Sequence, residues 1–253
     1  DTDTYLAGKS QEQIKRFIGE HTLFGLDGDV HKRHRRLLLP PFQGERMRAY
    51  GELMRDLTLE EIKRWPKDET FLFSEPMTRV TLDVIFHAVF GLTDPKITAR
   101  LNVLLQELTG GGRAMLAYLP FLQVNLGSWS PYGRFLKTQA EFDGILFDAI
   151  AAARDAPEGR EDILARLIVE GQASDDPFTD QELRDELVTL LGAGHETTAS
   201  GLSWAMQSIL STEHALQGIL AELKEVLGGE SLEASHIGQL KYLKAAVCES
   251  MRL

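Results

Sequence analysis

The segment from Thr179 to Leu210 predicts one helix of roughly 30 residues. Thr179 and Glu182 have the spacing of a capping box, which predicts where the helix begins. Apolar residues then recur with a period near 3.6, at Leu183, Leu187, Leu190, Leu191, Leu202, Ala205, Met206 and Ile209. A helix of this length spans about 45 Å and can cross a whole domain.

The centre of this predicted helix is poor in helix-forming residues. Gly192, Gly194 and Gly201 each cost about 1 kcal/mol relative to alanine in a helix interior. One interpretation is that the small residues let a bulky group approach the backbone, beside an acid and an alcohol at Glu196 and Thr197. The alternative is that a second helix packs closely there.

The ordered string Ala-Gly-His-Glu-Thr-Thr at 193–198 resembles the oxygen-activation motif of the cytochrome P-450 family, the haem-thiolate monooxygenases. The resemblance implies that Ala193 and Gly194 lie against the haem. It also implies catalytic roles for Glu196 and Thr197, which would deliver protons to the dioxygen.

An apolar stretch at 110–133 is rich in glycine, proline and aromatic residues. It resembles the family's mobile lid over the substrate channel, and ordinary loop packing is the alternative. Phe121, Leu122 and Trp129 are candidates for lining the channel or for touching a membrane surface. The residues that the resemblance implies to face the substrate are Thr189, Gly192, Ala193 and Phe121.

The densest positive run of this acidic chain extends from His31 to Arg36. His31 and Arg35 lie four residues apart and share one helical face, so an imidazole and a guanidinium can converge on one anion. A solvated basic face is the alternative. The order of residues resembles the family's propionate-binding helix, which implies that His31 and Arg35 hold the haem propionates. The matching residues are Asp27, Gly28, His31, Arg35, Arg36, Pro41 and Phe42.

The other basic residues of this run, Lys32, Arg33 and Arg36, are expected to point away from the His31–Arg35 face. In the family the corresponding surface meets an acidic electron-transfer partner of the ferredoxin or flavoprotein type. Local positive charge on an acidic protein would steer such a partner. Simple solvation of the helix end is the alternative.

Glu249 and Arg252 are three residues apart on a predicted last helix and can form an ion pair. Glu-x-x-Arg at this place resembles the family's buried structural pair. The family's haem-ligating cysteine would lie beyond Leu253, so no residue of this chain is assigned to the metal. Cys248 is expected to be a small packed residue.

Composition restricts the class of protein. The chain has 253 residues with a net charge of −11, which argues against nucleic acid as the main partner. A single cysteine fits a reducing compartment, and no apolar run reaches the roughly 18 residues that span a bilayer. These observations favour the cytoplasm, although both ends appear cut and a membrane anchor upstream stays open.

Two metal-binding alternatives are weak. His195 and Glu196 begin the zinc-protease string His-Glu-x-x-His, but Ala199 occupies the position of the second histidine. His31 and His34 are three residues apart, yet the surrounding positive charge opposes a bound cation. A non-catalytic all-helical binding or scaffold protein stays as the alternative function.

The sequence therefore predicts a mainly α chain with minor β structure, forming one incomplete P-450-like domain over 1–253. The resemblance implies heme b (iron protoporphyrin IX) and insertion of one oxygen atom from O2 into an apolar substrate. A fatty acid, terpenoid, retinoid or steroid-like molecule would each suit. The 253 residues alone are not expected to be active, because the thiolate cysteine is missing from them.

Overall fold

A computed structural model describes residues 6–11, 15, 18–42, 46–110, 116, 119, 123–172 and 174–252. These residues are almost all helical. The helices are α1 (Ala7–Ser10), α2 (Gly28–Leu38), α3 (Arg46–Ile62), α4 (Ser74–Ala88), α5 (Pro95–Thr109), α6 (Pro131–Asp155), α7 (Ile163–Gln172), α8 (Asp180–Leu210), α9 (Glu213–Leu227), α10 (Ala234–Ile237) and α11 (Lys241–Arg252). Short 3-10 turns cover Leu23–Gly25 and Pro40–Phe42.

The limits of several helices follow from local sequence signals. Asp94 accepts a hydrogen bond from the Lys96 amide at 2.8 Å, and Pro95 occupies the first turn, so these two residues specify where α5 begins. Gly228 ends α9 in the left-handed region, with φ of +56°. The sequence also predicts a short amphipathic helix at 10–19, and part of this segment lies outside the described residues. No membrane-crossing helix is found among the helices that the structure describes.

Minor β structure is nearly absent from the described residues, which contain one isolated bridge between Leu126 and Ser128. The sequence also predicts a short extended segment at 70–73. This segment lies outside the helices, and no bridge among the described residues involves it. The mainly α prediction is therefore confirmed, and the β contribution was overestimated for this part of the chain.

The helices belong to two compact units. The first unit draws on residues 1–42 and 85–192, and α5 packs on α6 within it. Its core consists of aromatic, leucine and isoleucine side chains that are almost completely buried. They are Phe86, Phe90, Phe142, Leu101, Leu104, Leu146, Ile150, Leu164, Leu183, Leu187 and Leu191.

The second unit draws on residues 43–84 and 193–253. Here α9 packs on α11, and the approach depends on a glycine. A Cβ placed on Gly218 would come within 2.6 Å of the Tyr242 ring, so only glycine lets that ring lie against α9. Gly51 similarly brings α3 close to Ala234 of α10. The prediction of one domain over 1–253 stays a prediction.

The apolar stretch before α6 is described from residue 123 onward. Ser130 organises it, since its Oγ accepts hydrogen bonds from the amides of Leu126 and Gly133 at 3.0 Å each. Trp129 is 92% exposed at the tip of this loop. Phe121 and Leu122, the other two candidates for lining a substrate channel, lie outside the described residues.

Candidate functional site

The long helix α8 begins with the predicted capping box. The Glu182 carboxylate accepts from the Thr179 amide at 2.8 Å, and the Thr179 hydroxyl accepts from the Glu182 amide at 3.2 Å. The helix then runs without interruption to Leu210. Its residues up to Gly192 belong to the first unit, and those from Ala193 onward belong to the second.

The glycine-rich centre of α8 stays helical. A Cβ placed on Gly192 or Gly201 would meet no atom of the described structure within 4 Å, so no described helix packs closely at these two positions. Within the second unit, Ala193, Glu196 and Thr197 are exposed and Gly194 is half-buried. The Thr197 hydroxyl donates to the Ala193 carbonyl at 2.5 Å, as threonines inside helices commonly do.

Thr189 is not available to a substrate, which contradicts one sequence-based expectation. Its side chain is buried in the first unit, where its hydroxyl donates to the Asp185 carbonyl at 2.8 Å. The Thr22 hydroxyl lies 2.6 Å from it and is buried as well. Thr189 therefore ties the segment before α2 to α8. Gly192, one turn further along, is exposed.

The predicted anion-binding pair lies on α2. His31 is half-buried and Arg35 is exposed. Neither side chain forms a hydrogen bond or an ion pair with any residue that the structure describes. An imidazole and a guanidinium that have no carboxylate partner among the described residues offer donors suited to a carboxylate ligand.

Arg33 does not belong to an open basic surface, contrary to the sequence-based expectation. Its guanidinium is 2.7 Å from both Glu182 and Asp176, and it lies 5.5 Å from the centre of the Phe178 ring. Burial disfavours a charge on Glu182, but hydrogen bonds from Arg33 and Thr179 outweigh it and lower the pKa of Glu182 to about 2. Arg33 thus joins α2 to the start of α8.

The other two basic residues of the run remain at the surface. Lys32 is exposed and pairs with Asp29 at 2.9 Å, one turn earlier in α2. Arg36 is exposed, and no described residue pairs with it.

His34 is the residue of α2 whose importance the sequence did not reveal. It is completely buried, with Nδ1 at 2.7 Å from Glu186 and Nε2 at 3.2 Å from Glu182. The Phe178 ring meets it edge to face at 5.0 Å. Both ring nitrogens are occupied, so pairing with His31 on a metal is contradicted. No cluster of metal ligands occurs in the described part of the chain.

A second buried ion-pair cluster lies further along the first turns of α8. Arg184 bonds to Asp143 of α6 at 2.9 Å through Nε, to Asp185 at 2.9 Å and to the Ile18 carbonyl at 3.0 Å through Nη1. Burial raises the pKa of Asp143, although Arg184 acts in the opposite direction. Asp185 also accepts from the His21 amide at 2.9 Å. This cluster holds α6 and the N-terminal segment against α8.

The predicted Glu249–Arg252 pair forms on α11 of the second unit. Two hydrogen bonds join the side chains, at 2.8 Å and 2.6 Å. The Arg252 bond lowers the pKa of Glu249. The expected burial is contradicted, because the two side chains are 57% and 66% exposed. Cys248, expected to be packed, is exposed too.

Comparison with known proteins gives a consistent result. The family model described as cytochrome P-450 matches residues 5–253. Cytochrome P-450 135A1 of Mycobacterium tuberculosis is 38% identical over 202 residues, covering 79% of this chain and 44% of the relative. Cytochrome P-450 138 of Mycobacterium bovis is 32% identical over 242 residues, covering 95% and 54%.

A solved structure with the same fold is described as retinoic acid bound cyanobacterial CYP120A1. Its TM-score is 0.76 at 22% identity, with 95% of this chain and 52% of that chain covered. This chain therefore spans about half the length of the relatives that it matches.

Proposed function

Because the chain belongs to the cytochrome P-450 family, whose members are haem-dependent monooxygenases, we propose that the protein inserts one atom of O2 into an apolar organic substrate. The observation that carries the proposal is the Ala-Gly-His-Glu-Thr-Thr string on an unbroken helix, with its acid and its first threonine exposed on the surface of the second unit. An all-helical binding or scaffold protein is the alternative, and it would hold no haem.

The side chains of each unit fit a haem in their chemistry. In the first unit, His31 and Arg35 offer donors without partners among the described residues, which suits the two propionates of heme b. In the second unit, Ala193 and Gly194 have almost no side chain, so a flat group can approach the helix backbone there. When bound, the haem supplies the activation of O2.

Glu196 and Thr197 are proposed to move protons. The Thr197 hydroxyl donates a hydrogen bond to the Ala193 carbonyl, so the lone pairs of the Thr197 oxygen are free to accept a hydrogen bond. Glu196 is exposed and pairs with no described side chain, so it can exchange protons with water. A relay from Glu196 to Thr197 Oγ1 needs this placement more than it needs an unusual acidity.

The substrate and the redox partner are proposed only by class. Gly192, Ala193 and Phe121 are proposed to face a substrate such as a fatty acid, terpenoid, retinoid or steroid-like molecule. Electrons would come from a ferredoxin or flavoprotein. Of the three basic residues of α2 that lie off the His31–Arg35 face, Arg36 is exposed and has no described partner, so it is proposed to contact the acidic surface of that protein.

A reduced carbon monoxide difference spectrum of the full-length holoprotein tests the proposal directly. We expect the absorption band of a thiolate-ligated haem. A protein that retains no haem after supplementation would instead support the scaffold alternative.

Replacing Thr197 with alanine is expected to separate electron consumption from product formation. Without the hydroxyl, proton delivery loses a positioned group, and such groups contribute roughly a hundredfold or more to proton-transfer steps. Product formed per electron pair should fall about tenfold, with hydrogen peroxide released in its place. Peroxide and product are measured together in one turnover assay. Thr198→Ala is the matched control, and equal coupling in both variants would contradict the role of Thr197.

Replacing Arg35 with alanine is expected to weaken haem retention. A charge-assisted hydrogen bond is worth about 1.5–3 kcal/mol, so haem should leave roughly ten to a hundred times faster. Transfer of haem to excess apomyoglobin measures this rate. Arg36→Ala removes a neighbouring exposed guanidinium and should leave the rate unchanged. Full retention in the Arg35 variant would remove the basis for assigning the propionates to this residue.

A further inference from the structure

We propose that His34 and Glu186 share one buried proton, and that this pair positions α2 so that His31 and Arg35 are correctly oriented. His34 is thus a positioning residue of the haem site. The second part of the inference rests on the proposed function, whereas the first part concerns the folded chain alone.

The distances from the two ring nitrogens of His34 to the neighbouring carboxylates indicate which atoms carry hydrogen. Glu182 is ionised, because it accepts two hydrogen bonds from Thr179 and two from Arg33. An ionised carboxylate only accepts, so His34 Nε2, at 3.2 Å from it, must carry a hydrogen atom.

The other side of the ring then requires a second hydrogen atom. Nδ1 and Glu186 Oε1 are 2.7 Å apart, and two lone pairs at this distance would repel each other. One hydrogen atom therefore lies between them, on the nitrogen or on the oxygen. In either arrangement the two side chains hold two protons in total. A neutral imidazole beside an ionised glutamate would hold only one.

Among the described residues, the Leu23 amide also favours the ionised form of Glu186, but it is a neutral donor and does not replace the positive charge of this proton. His34 and Glu186 are both completely buried. The nearby cation of α2, Arg33, is engaged by Glu182 and Asp176, and Arg184 is engaged by Asp143 and Asp185. Loss of the proton would leave a buried carboxylate without a positive partner, which is strongly unfavourable. Burial accordingly raises the pKa of Glu186, although His34 opposes the effect.

The other elements packed against α2 do not supply a competing partner. Helix α7 carries Arg166 and Glu170, and neither bonds to the His34 ring in the described structure. The 3-10 turns at Leu23–Gly25 and Pro40–Phe42 have no titratable side chain. The proton balance of the ring is therefore set by Glu182 and Glu186, with Asp185 adding negative charge beside them.

The positions of these residues around α2 connect the pair to the haem site. Successive helix residues turn by about 100°, so Arg33 points away from the His31–Arg35 face and His34 lies about 80° to one side of it. Arg33 and His34 both attach α2 to the segment that contains Phe178, Glu182 and Glu186. Without the hydrogen bonds of the His34 ring, α2 can rotate about its axis. That rotation turns His31 and Arg35 away from the position proposed for the haem.

The shared proton predicts a specific pH dependence of stability. Above neutral pH the unfolded chain holds one proton on these two side chains, since an unperturbed histidine is neutral and an unperturbed glutamate is ionised. The folded chain holds two. The folded state therefore loses stability as the pH rises above neutral, and the unfolding equilibrium constant should increase with pH, by at most about tenfold per pH unit.

Glu186→Gln is the variant that isolates this effect. A glutamine amide can donate to Nδ1 of a neutral imidazole, so the attachment of α2 survives without the extra proton. Urea unfolding of the protein at pH 7, 8 and 9 should show the additional slope in the wild type and not in the variant. Parallel pH profiles of the two proteins would overturn the shared proton.

Haem release tests the positioning role separately. In the holoprotein, His34→Leu should release haem to apomyoglobin about tenfold faster, the effect of losing one ordinary hydrogen-bonded attachment. Glu186→Gln should release haem at the wild-type rate, and the exposed His214→Leu serves as the control. An unchanged rate in the His34 variant would overturn the positioning role. A wild-type protein that never holds haem would instead refute the proposed function. The pH profiles of unfolding would still show whether His34 and Glu186 share a proton.

Discussion

Replacing Arg184 with methionine is expected to lower the free energy of unfolding of the protein by about 3–5 kcal/mol. The Arg184 side chain is 4% exposed and pairs with Asp143 and Asp185, and its third contact is the Ile18 carbonyl. Methionine fills similar space but donates no hydrogen bond. It would leave the fully buried Asp185 carboxylate without its cation, which is far more costly than losing a favourable contact.

Arg100→Met is the matched control within the same unit. Arg100 also makes a bidentate ion pair, with Glu141 at 2.6 Å and 2.7 Å, but the two side chains are 45% and 43% exposed. Water can solvate the carboxylate that remains, so we expect a much smaller loss than for Arg184→Met. Urea unfolding followed by tryptophan fluorescence measures both variants. Equal losses would show that burial does not distinguish the two ion pairs.

The sequence predicted α8 well because its signals are local. The capping box places Thr179 and Glu182 three residues apart, and the apolar period extends beyond the glycines on both sides. The glycines themselves gave an ambiguous signal. Small residues are required both where a second helix crosses closely and where a bulky group lies against the backbone. The structure was therefore needed to show that no described helix packs at Gly192 or Gly201.

The basic run of α2 shows where local reasoning stops. A helical wheel separates Arg33 from His31 and Arg35 but does not tell what lies opposite it. The partners Glu182 and Glu186 are about 150 residues later in the chain, so no pattern local to α2 identifies them. Two glutamates four residues apart on one helix face repel each other. That repulsion was the available signal that a cation or a protonated histidine lies between them.

Exposure was the property predicted least well. Thr189 is buried although a substrate contact was expected, and Glu249 is exposed although burial was expected. Residue type and spacing specify which atoms can bond, so the Glu249–Arg252 pair was correct. Burial depends on which other elements cover a helix face, and no local pattern contains that information.

Replacing Gly133 with alanine is expected to destabilise the protein by about 2–3 kcal/mol, whereas the same change at Gly144 in the same helix should stabilise it by about 0.5–1 kcal/mol. A Cβ on Gly133 would collide with the Gly127 carbonyl, and backbone cannot move aside as a flexible side chain can. The shift would also strain the hydrogen bond from the Gly133 amide to Ser130 Oγ, which caps α6.

Gly144 lies in the middle of α6, and a Cβ there would meet no atom of the described structure within 4 Å. Alanine at this position only reduces the freedom of the unfolded chain, so opposite signs for two identical substitutions are the expected result. Thermal unfolding of both variants measures the difference. A stabilising or neutral Gly133→Ala would mean that the loop ending at Ser130 does not pack against α6 as described, because the steric argument depends entirely on the position of the Gly127 carbonyl.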